Sequence, residues 1–197
     1  MLEYPSIPRY RGAGSVWSQR YGDNVSGADN QQERLCIEAI PVGLGSFLSG
    51  FALGEASFMI VCRPLSTGRR SWKISAAFNV SQHDPTPLEL FRDTLGCGSM
   101  RRGGSGGWYW EVNRLSDLQA GIIPFFERFP LVGTKAGDFG LFKDATAILC
   151  KGPLSPSDAV TVLALRERMN RGGKRRYSME RILRDYTPNP SAELPMG

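Results

Sequence analysis

Two stretches of this chain alternate between apolar and polar side chains, which is the period of a β-strand with one covered face. The first stretch runs over residues 57–63 and the second over residues 72–81. One face of the second stretch carries an apolar series: Trp72, Ile74, Ala76, Phe78 and Val80. The composition of residues 66–70, STGRR, is typical of a turn, so the pattern predicts a β-hairpin with one buried and one polar face.

The opposite face of this predicted hairpin has its own series: Val61, Arg63, Lys73, Ser75, Ala77, Asn79 and Ser81. A second hairpin is predicted over residues 98–102 and 108–113, around a glycine-rich tip at 103–107. By the same parity its apolar series is Trp108, Trp110 and Val112. The exposed series of the second hairpin is Ser99, Arg101, Tyr109, Glu111 and Asn113.

Helical patterns surround the two hairpins. Residues 44–54 form an apolar segment with small residues along it, where another backbone can approach closely. A short helix is predicted over 87–95, and three more follow over 116–128, 135–149 and 157–170, the first of them interrupted by Pro124. The element order α-ββ-α-ββ-α-α predicts an α+β fold built on an antiparallel sheet.

The two ends of the chain differ in composition from its middle. Residues 1–43 are predicted to form an irregular N-terminal arm, with one short helix within 31–40. Residues 44–172 are predicted to form the folded domain, and residues 173–197 a basic C-terminal tail. The chain is thus expected to hold one domain with an extension at each end.

Composition narrows the class of protein. Of 197 residues, 41% are hydrophobic and 22% are charged, which excludes collagen, coiled coil and wholesale disorder. No apolar run reaches the ~18 residues of a membrane span and no secretory signal opens the chain, so a soluble intracellular protein is expected, with bacterial cytoplasm and organelle equally compatible. Four separated cysteines and one histidine, His83, exclude a local Cys/His zinc cluster.

Arginine dominates the basic residues. The net charge is +5, and 19 of the 24 basic residues are arginines. The guanidinium group suits bidentate contacts with phosphates and with guanine edges. The charge balance therefore favours a nucleic-acid partner.

Four blocks of the sequence, in order, resemble one protein family. Residues 48–58, LSGFALGEASF, resemble the signature helix of the LAGLIDADG homing endonucleases. Residues 78–83, FNVSQH, are similar to the end of the family's second strand, and residues 95–98, LGCG, to the entry of its next hairpin. Residues 122–139 contain IIPFF, PLVGTK and DF in the order of the family's last block. Together the blocks cover about residues 45–150.

This resemblance implies the topology αββαββα, in which a four-stranded antiparallel sheet forms a saddle over the major groove of DNA. The sequence contains one signature helix, and family members with one copy act as homodimers that pair this helix across a two-fold axis. The dimer-interface residues implied are Leu48, Ser49, Gly50 and Leu53. The implied partners are double-stranded DNA and a second copy of the chain.

The resemblance also implies the chemistry of the site. Glu55 matches the family's metal-binding acid, and the Gly54 carbonyl is expected to add a ligand to Mg²⁺ or Mn²⁺, with no small-molecule cofactor. Lys135 matches a basic residue near the scissile phosphate, where an ammonium group stabilises developing charge. Gln82, at the end of a strand, fits a catalytic group that orients water, and nearly equally an amide that caps a loop.

DNA contacts are expected from the exposed sheet face and the hairpin tips. The candidates are Arg63, Arg69, Arg70, Lys73, Ser75, Asn79, Ser81, Ser99, Arg101, Arg102, Tyr109, Glu111 and Asn113. A solvated sheet face is the alternative interpretation of each residue taken singly.

The expected function is a metal-dependent homing endonuclease that makes double-strand breaks at a long near-palindromic DNA site and serves intron mobility. Two alternatives stay open: a maturase-like RNA-binding splicing cofactor, and a catalytically inert DNA-binding protein. Leu53 and Ala56 stand where many members carry an acid and a glycine, which leaves room for the inert alternative.

Overall fold

A four-stranded antiparallel sheet organises the part of the chain that the computed structural model describes, residues 36–65, 71–104, 106–173 and 175–186. The strand order is β1-β2-β4-β3, so β1 and β3 are the edges. The strands are β1 (Ala56–Pro64), β2 (Trp72–Gln82), β3 (Ser99–Arg102) and β4 (Trp108–Val112). The helices are α1 (Val42–Glu55), α2 (Thr86–Leu95), α3 (Leu115–Asp117), α4 (Ile123–Arg128), α5 (Gly133–Leu149), α6 (Pro156–Arg168) and α7 (Met179–Arg184).

Burial alternates along the strands, as the sequence pattern predicts. The apolar series of β2, from Trp72 to Val80, is buried, and Lys73 in the opposite series is exposed. Ala77 differs from the prediction, because it is buried although it belongs to the polar series. It pairs with Met59 of β1, and a methyl group is too short to reach past its neighbours. One face of the sheet is therefore core and the other is open.

Phenylalanine rings fill the space between the covered face and the helices. The ring of Phe58 on β1 lies 5.0 Å from Phe78 on β2, 5.5 Å from Phe126 on α4 and 5.1 Å from Phe142 on α5, measured between centroids. All four rings are fully buried. Aromatic side chains bury more apolar area than any others, so this cluster holds α4 and α5 against the sheet.

The second hairpin is held by Trp110. Its ring stacks on Phe91 of α2 at 5.2 Å, and its Nε1–H donates to the carbonyl of Cys97 at 3.0 Å. Gly98 has a φ of +78°, and a Cβ at this position would lie 2.6 Å from the Trp110 ring nitrogen. Glycine is therefore required at the entry to β3, both for its backbone conformation and for its size.

The helix interrupted by Pro124 continues through a π turn. Residues Leu118–Ile122 are π-helical between α3 and α4, and Pro124 stands in the first turn of α4. Because proline lacks an N–H, the chain accommodates it where a helical hydrogen bond is already displaced.

The C-terminal region contains a helix that the sequence pattern does not predict. Helix α7 follows the basic segment and packs on α6, with Ile182 fully buried. The predicted turn at 66–70 with Arg69 and Arg70, the arm over residues 1–35 and the residues after Tyr186 lie outside the described residues. None of the described helices combines the length and the apolar character needed to cross a membrane.

Candidate functional site

Glu55 is the last residue of α1, and the next residue begins β1. Both Glu55 and Gly54 are exposed, and the space beside the Gly54 Cα is open. The final carbonyls of a helix carry a partial negative charge, and the Glu55 carboxylate adds to it. The end of α1 is therefore a site of negative potential that attracts a cation.

Lys135 reaches the same place from a different part of the chain. It lies in the first turn of α5, and its Nζ donates to the carbonyl of Ala56 at 2.6 Å, across 79 positions of sequence. This bond uses one of the three ammonium N–H groups. The bond brings Lys135 to the residue that follows Glu55 in the chain.

Gln82 ends β2 at this same end of the sheet. Ala56 pairs with Val80, so the chain enters β1 and leaves β2 side by side. The Gln82 Oε1 accepts a hydrogen bond from the His83 N–H at 2.8 Å, which is the loop-capping role. The backbone N–H and hydroxyl of Thr86 both donate to Asp84, which lowers the pKa of that carboxyl and orders the loop after Gln82.

The open face of the sheet brings the predicted DNA-contact residues into cross-strand rows. In one row Asn79 lies between Ser57 and Glu111, and Ser99 follows on β3. In the next row Ser81, Tyr109 and Arg101 are neighbours. Toward the other end of the hairpin Ser75 pairs with Val61, and Lys73 pairs with Arg63. These rows alternate donors, acceptors and cations across the sheet.

Arg101 is held in place by its neighbours. Its guanidinium lies 4.3 Å from the centroid of the Tyr109 ring and 3.6 Å from the Glu111 carboxylate. The Asn113 amide donates to the other oxygen of Glu111 at 3.3 Å. Arg102 belongs to the opposite parity and lies over the Trp108 ring at 5.6 Å. The network restrains the rotamers of Arg101 and Glu111.

The donor set fits a hard divalent cation that keeps much of its water shell. Within the described residues no three His, Cys, Asp or Glu side chains come together. Glu55 and the Gly54 carbonyl supply oxygen ligands only, and Mg²⁺ is commonly held by one or two carboxylates together with water and substrate phosphates. A cation here would complete its coordination with water and with oxygens of a bound phosphate.

The structure corrects the predicted interface on α1. Leu48 is fully buried within the chain, and the Ser49 hydroxyl donates to the carbonyl of Phe129 at 2.9 Å, so neither side chain is free to contact a second copy. The reason is that α1 packs this face against the chain's own core. Gly50 is exposed and Leu53 is half-buried, so these two stay candidates.

The outward face of α1 contains two residues that sequence reasoning missed, Gly43 and Phe47. Gly43, Gly50 and Gly54 have open space where a Cβ would stand, and Ser46 and Phe47 are exposed between them. Counting in steps of three and four residues from Gly50 finds all of them, so the helical period was the available signal. Most side chains on this face are small, so the backbone of another helix can approach it.

A family model described as LAGLIDADG endonuclease matches residues 48–146, which is half of the chain. The chain belongs to the LAGLIDADG endonuclease family. The match begins in α1 and ends in α5, so it includes Glu55, Gln82, Lys135 and the whole sheet.

Relatives differ in how much of their length this chain covers. Homing endonuclease I-ApeII of Aeropyrum pernix is 24% identical over 160 residues, which are 77% of this chain and 95% of that protein. The probable intron-encoded endonuclease Cox1-I1b of Schizosaccharomyces pombe is 29% identical over 104 residues, 52% of this chain and 27% of that protein. The chain spans about a quarter of the length of the first curated relatives that it matches.

A solved structure gives the same fold. Meganuclease I-SmaMI bound to uncleaveable DNA superposes with a TM-score of 0.61 at 28% identity, covering 68% of this chain and 46% of that one. The four-stranded antiparallel sheet with its covering helices is therefore the fold of the family.

Proposed function

We propose that this protein is a metal-dependent homing endonuclease that cuts both strands of a long, near-palindromic DNA site as a homodimer. The contact of the Lys135 ammonium with the Ala56 carbonyl carries the proposal. This contact holds the Lys135 ammonium against the residue after Glu55. It lies at one end of the open sheet face, which carries the side chains proposed to contact DNA bases. A carboxylate and an ammonium at that position match the needs of phosphodiester hydrolysis.

The sheet face is the proposed DNA-binding surface. A two-stranded ribbon or a sheet face can enter the major groove, where base edges present distinct donor and acceptor patterns. Arg101 and Asn79 can each make two hydrogen bonds to one base, and the exposed Lys73 and Arg63 can contact phosphates. I-SmaMI and I-GzeII are both solved in complex with DNA, which supports this assignment.

A second copy of the chain is the proposed partner of α1. Its outward face offers small residues at Gly43, Ser46, Gly50 and Gly54, flanked by Phe47, which is 52% exposed. Two such faces related by a two-fold axis form an isologous helix pair. The pair places one Glu55 from each copy near the other, which supplies two carboxylates for two DNA strands.

The proposed division of labour within each site follows from the side chains. Glu55 and the Gly54 carbonyl hold a divalent metal, with Mg²⁺ or Mn²⁺ as candidates, which when bound polarises the scissile phosphate and acidifies water. Lys135 donates to a phosphate oxygen as its negative charge develops. Gln82, released from the His83 N–H, orients the attacking water. Intron mobility is the proposed biological role, in line with relatives named as intron-encoded.

The test is cleavage selection from a library of randomised and genomic DNA with Mg²⁺, comparing the wild type with Glu55→Gln. Glu89→Gln is the matched control, because Glu89 is an exposed acid on α2, outside the site. A discrete double-strand cut lost only in Glu55→Gln supports the proposal. Enrichment by binding without a cut contradicts it and favours the inert DNA-binding alternative. Selective binding of structured RNA, unaffected by Glu55→Gln, would favour the maturase-like one.

A further inference from the structure

The free edge of β1 is bordered by a second cluster of arginines, of which only Arg63 belongs to the sheet face. A cavity of about 320 Å³ lies between β1 and the segment that follows α6. Its lining includes four arginines, Arg63, Arg166, Arg175 and Arg176, and the described residues that line it include no carboxylate. Met59 and Val61 from the open sheet face also line it, so this cluster is continuous with the proposed DNA-binding surface.

The segment is fixed against β1 by Asn170. Its side-chain amide donates to the carbonyl of Phe58 at 3.1 Å, on the outer edge of the sheet, and its backbone N–H donates to Asp138 at 2.7 Å. Asn170 and Arg171 both have left-handed backbone conformations, with φ of 51° and 52°. Such a pair of non-glycine residues costs free energy, which these two hydrogen bonds offset. The turn directs the following residues along the β1 edge.

Two of the arginines serve the fold. Arg175 donates to the carbonyls of Arg166 and Met169, which closes the C-terminal end of α6. Arg166 is buried and donates to the carbonyl of Tyr177 and to Glu167. Their charges are therefore committed to internal contacts.

The other two arginines of the cavity, Arg63 and Arg176, are exposed. Arg171, beside Asn170 in the turn, is also exposed, although it does not line the cavity. Arg176 stacks on the Tyr177 ring at 5.3 Å, and Arg63 pairs in register with Lys73. Within the described residues none of the three has a carboxylate partner. A set of unneutralised guanidiniums on a fixed backbone suits phosphate oxygens, to which arginine can make two parallel hydrogen bonds.

We propose that Arg63, Arg171 and Arg176 form a basic ridge that binds the phosphate backbone of DNA beside the duplex segment covered by the sheet. The proposal rests on the proposed function. Arg63 lies seven residues along β1 from Ala56, about 23 Å at the rise of a strand. The Arg63 end of the ridge is therefore remote from Glu55. Arg171 lies nearer to it, because the adjacent Asn170 binds the carbonyl of Phe58.

The experiment measures the salt dependence of binding to a labelled duplex of random sequence, without divalent metal. The full-length double variant Arg171→Gln/Arg176→Gln is compared with Lys151→Gln/Arg184→Gln, which removes two exposed charges outside the ridge, one after α5 and one at the end of α7. The logarithm of the DNA-binding constant K falls linearly with the logarithm of the salt concentration. Each lost phosphate contact makes this slope shallower by about 0.9. We expect the ridge variant to lose about 1.8 per bound protomer and the control variant to keep the wild-type slope.

Arg171→Gln alone guards against a folding artefact. Within the described residues the Arg171 side chain makes no hydrogen bond, ion pair or ring contact that its loss would remove. This variant should therefore keep the wild-type melting temperature and lose about 0.9 in slope. An unchanged slope in both ridge variants contradicts the proposed ridge. It is also contradicted if the variants weaken binding to structured RNA but not to the DNA duplex. A wild type that fails to bind any duplex, or that binds but never cuts, instead overturns the proposed function.

Discussion

Lys135 shows at the residue scale how one contact links fold and chemistry. Replacing it by Met should lower kcat for cleavage about 100-fold, because a preorganised donor to the phosphate is lost. Loss of its bond to Ala56 should also cost about 1 kcal/mol of stability. Lys135→Arg should recover part of the activity. Single-turnover cleavage of the selected site, with a melting curve for each variant, checks both effects.

Lys143→Met is the control for this prediction. Lys143 lies on the same helix, and its ammonium pairs with Glu127 at 3.3 Å, with both side chains about half exposed. Its loss should leave the cleavage rate unchanged. A Lys135→Met enzyme that cuts at the wild-type rate but melts earlier would show that Lys135 only braces α5 against β1.

Arg101 is the residue whose surroundings best define a base contact. Its position over Tyr109 and beside Glu111 favours bidentate hydrogen bonding to guanine. Arg101→Ala should cost about 1–3 kcal/mol in binding and relax preference at one base pair per half-site. Cleavage profiles over all single-base variants of the selected site measure this. A uniform loss over all sequences would assign Arg101 to phosphate instead, and Arg114→Ala, at an exposed position outside the sheet, is the control.

Residue-scale prediction from sequence succeeded where strand parity fixed the face of the sheet on which a residue lies. The strand parity assigned Asn79, Arg101 and Glu111 to the open face, as the structure has them. The contact between Lys135 and Ala56 spans 79 positions of sequence, and a contact over that distance cannot be predicted from a local pattern. The contacts of Arg101 with Tyr109 and Glu111 could not be predicted from the sequence either, because they depend on the side-chain rotamers of neighbouring strands.

Helix α1 explains at the element scale why the interface prediction was partly wrong. Its sequence carries apolar and small residues on every side, so it lacks a polar stripe that marks the outward face. Packing decides instead: Leu48 and Ala52 face the core, and Gly50 faces outward. The strands, in contrast, alternate except at Ala77, and their faces were predictable for that reason.

Two glycines of α1 give a matched test of this orientation. A Cβ on Gly45 would lie 2.2 Å from the Phe129 ring, so Gly45→Ala should destabilise the protomer by about 1–3 kcal/mol. Gly50→Ala meets open space and should stabilise it by up to about 1 kcal/mol through helix propensity. Urea denaturation measures both.

The bulkier Gly50→Leu tests the outward face itself. It should leave the protomer folded and shift sedimentation toward monomer, because a leucine holds a facing helix away. Dimers of undiminished strength in this variant would place the interface elsewhere. Equal destabilisation by alanine at both glycines would mean that α1 is rotated from the orientation described.

At the scale of the whole molecule, the hairpin alternation and the element order predicted the α+β sheet architecture. The π turn around Pro124 and helix α7 escaped prediction for physical reasons. No characteristic amino-acid composition marks a π turn. Helix α7 has only six residues and is stabilised by the burial of Ile182 rather than by its own helix propensity. Long-range packing creates both features, as it creates the arginine cluster along β1.

The proposed dimer makes a prediction that only the assembled molecule can test. If each Glu55 serves one DNA strand, a mixed dimer of one wild-type and one Glu55→Gln subunit should nick a single strand. Two affinity tags allow the mixed dimer to be purified, and a supercoiled plasmid with the selected site reports the products. Wild type should linearise it, the mixed dimer should leave open circles, and the doubly substituted dimer should leave it supercoiled. Linearisation by the mixed dimer at the wild-type rate would contradict one acid per strand, because a single intact site would then suffice for both cuts.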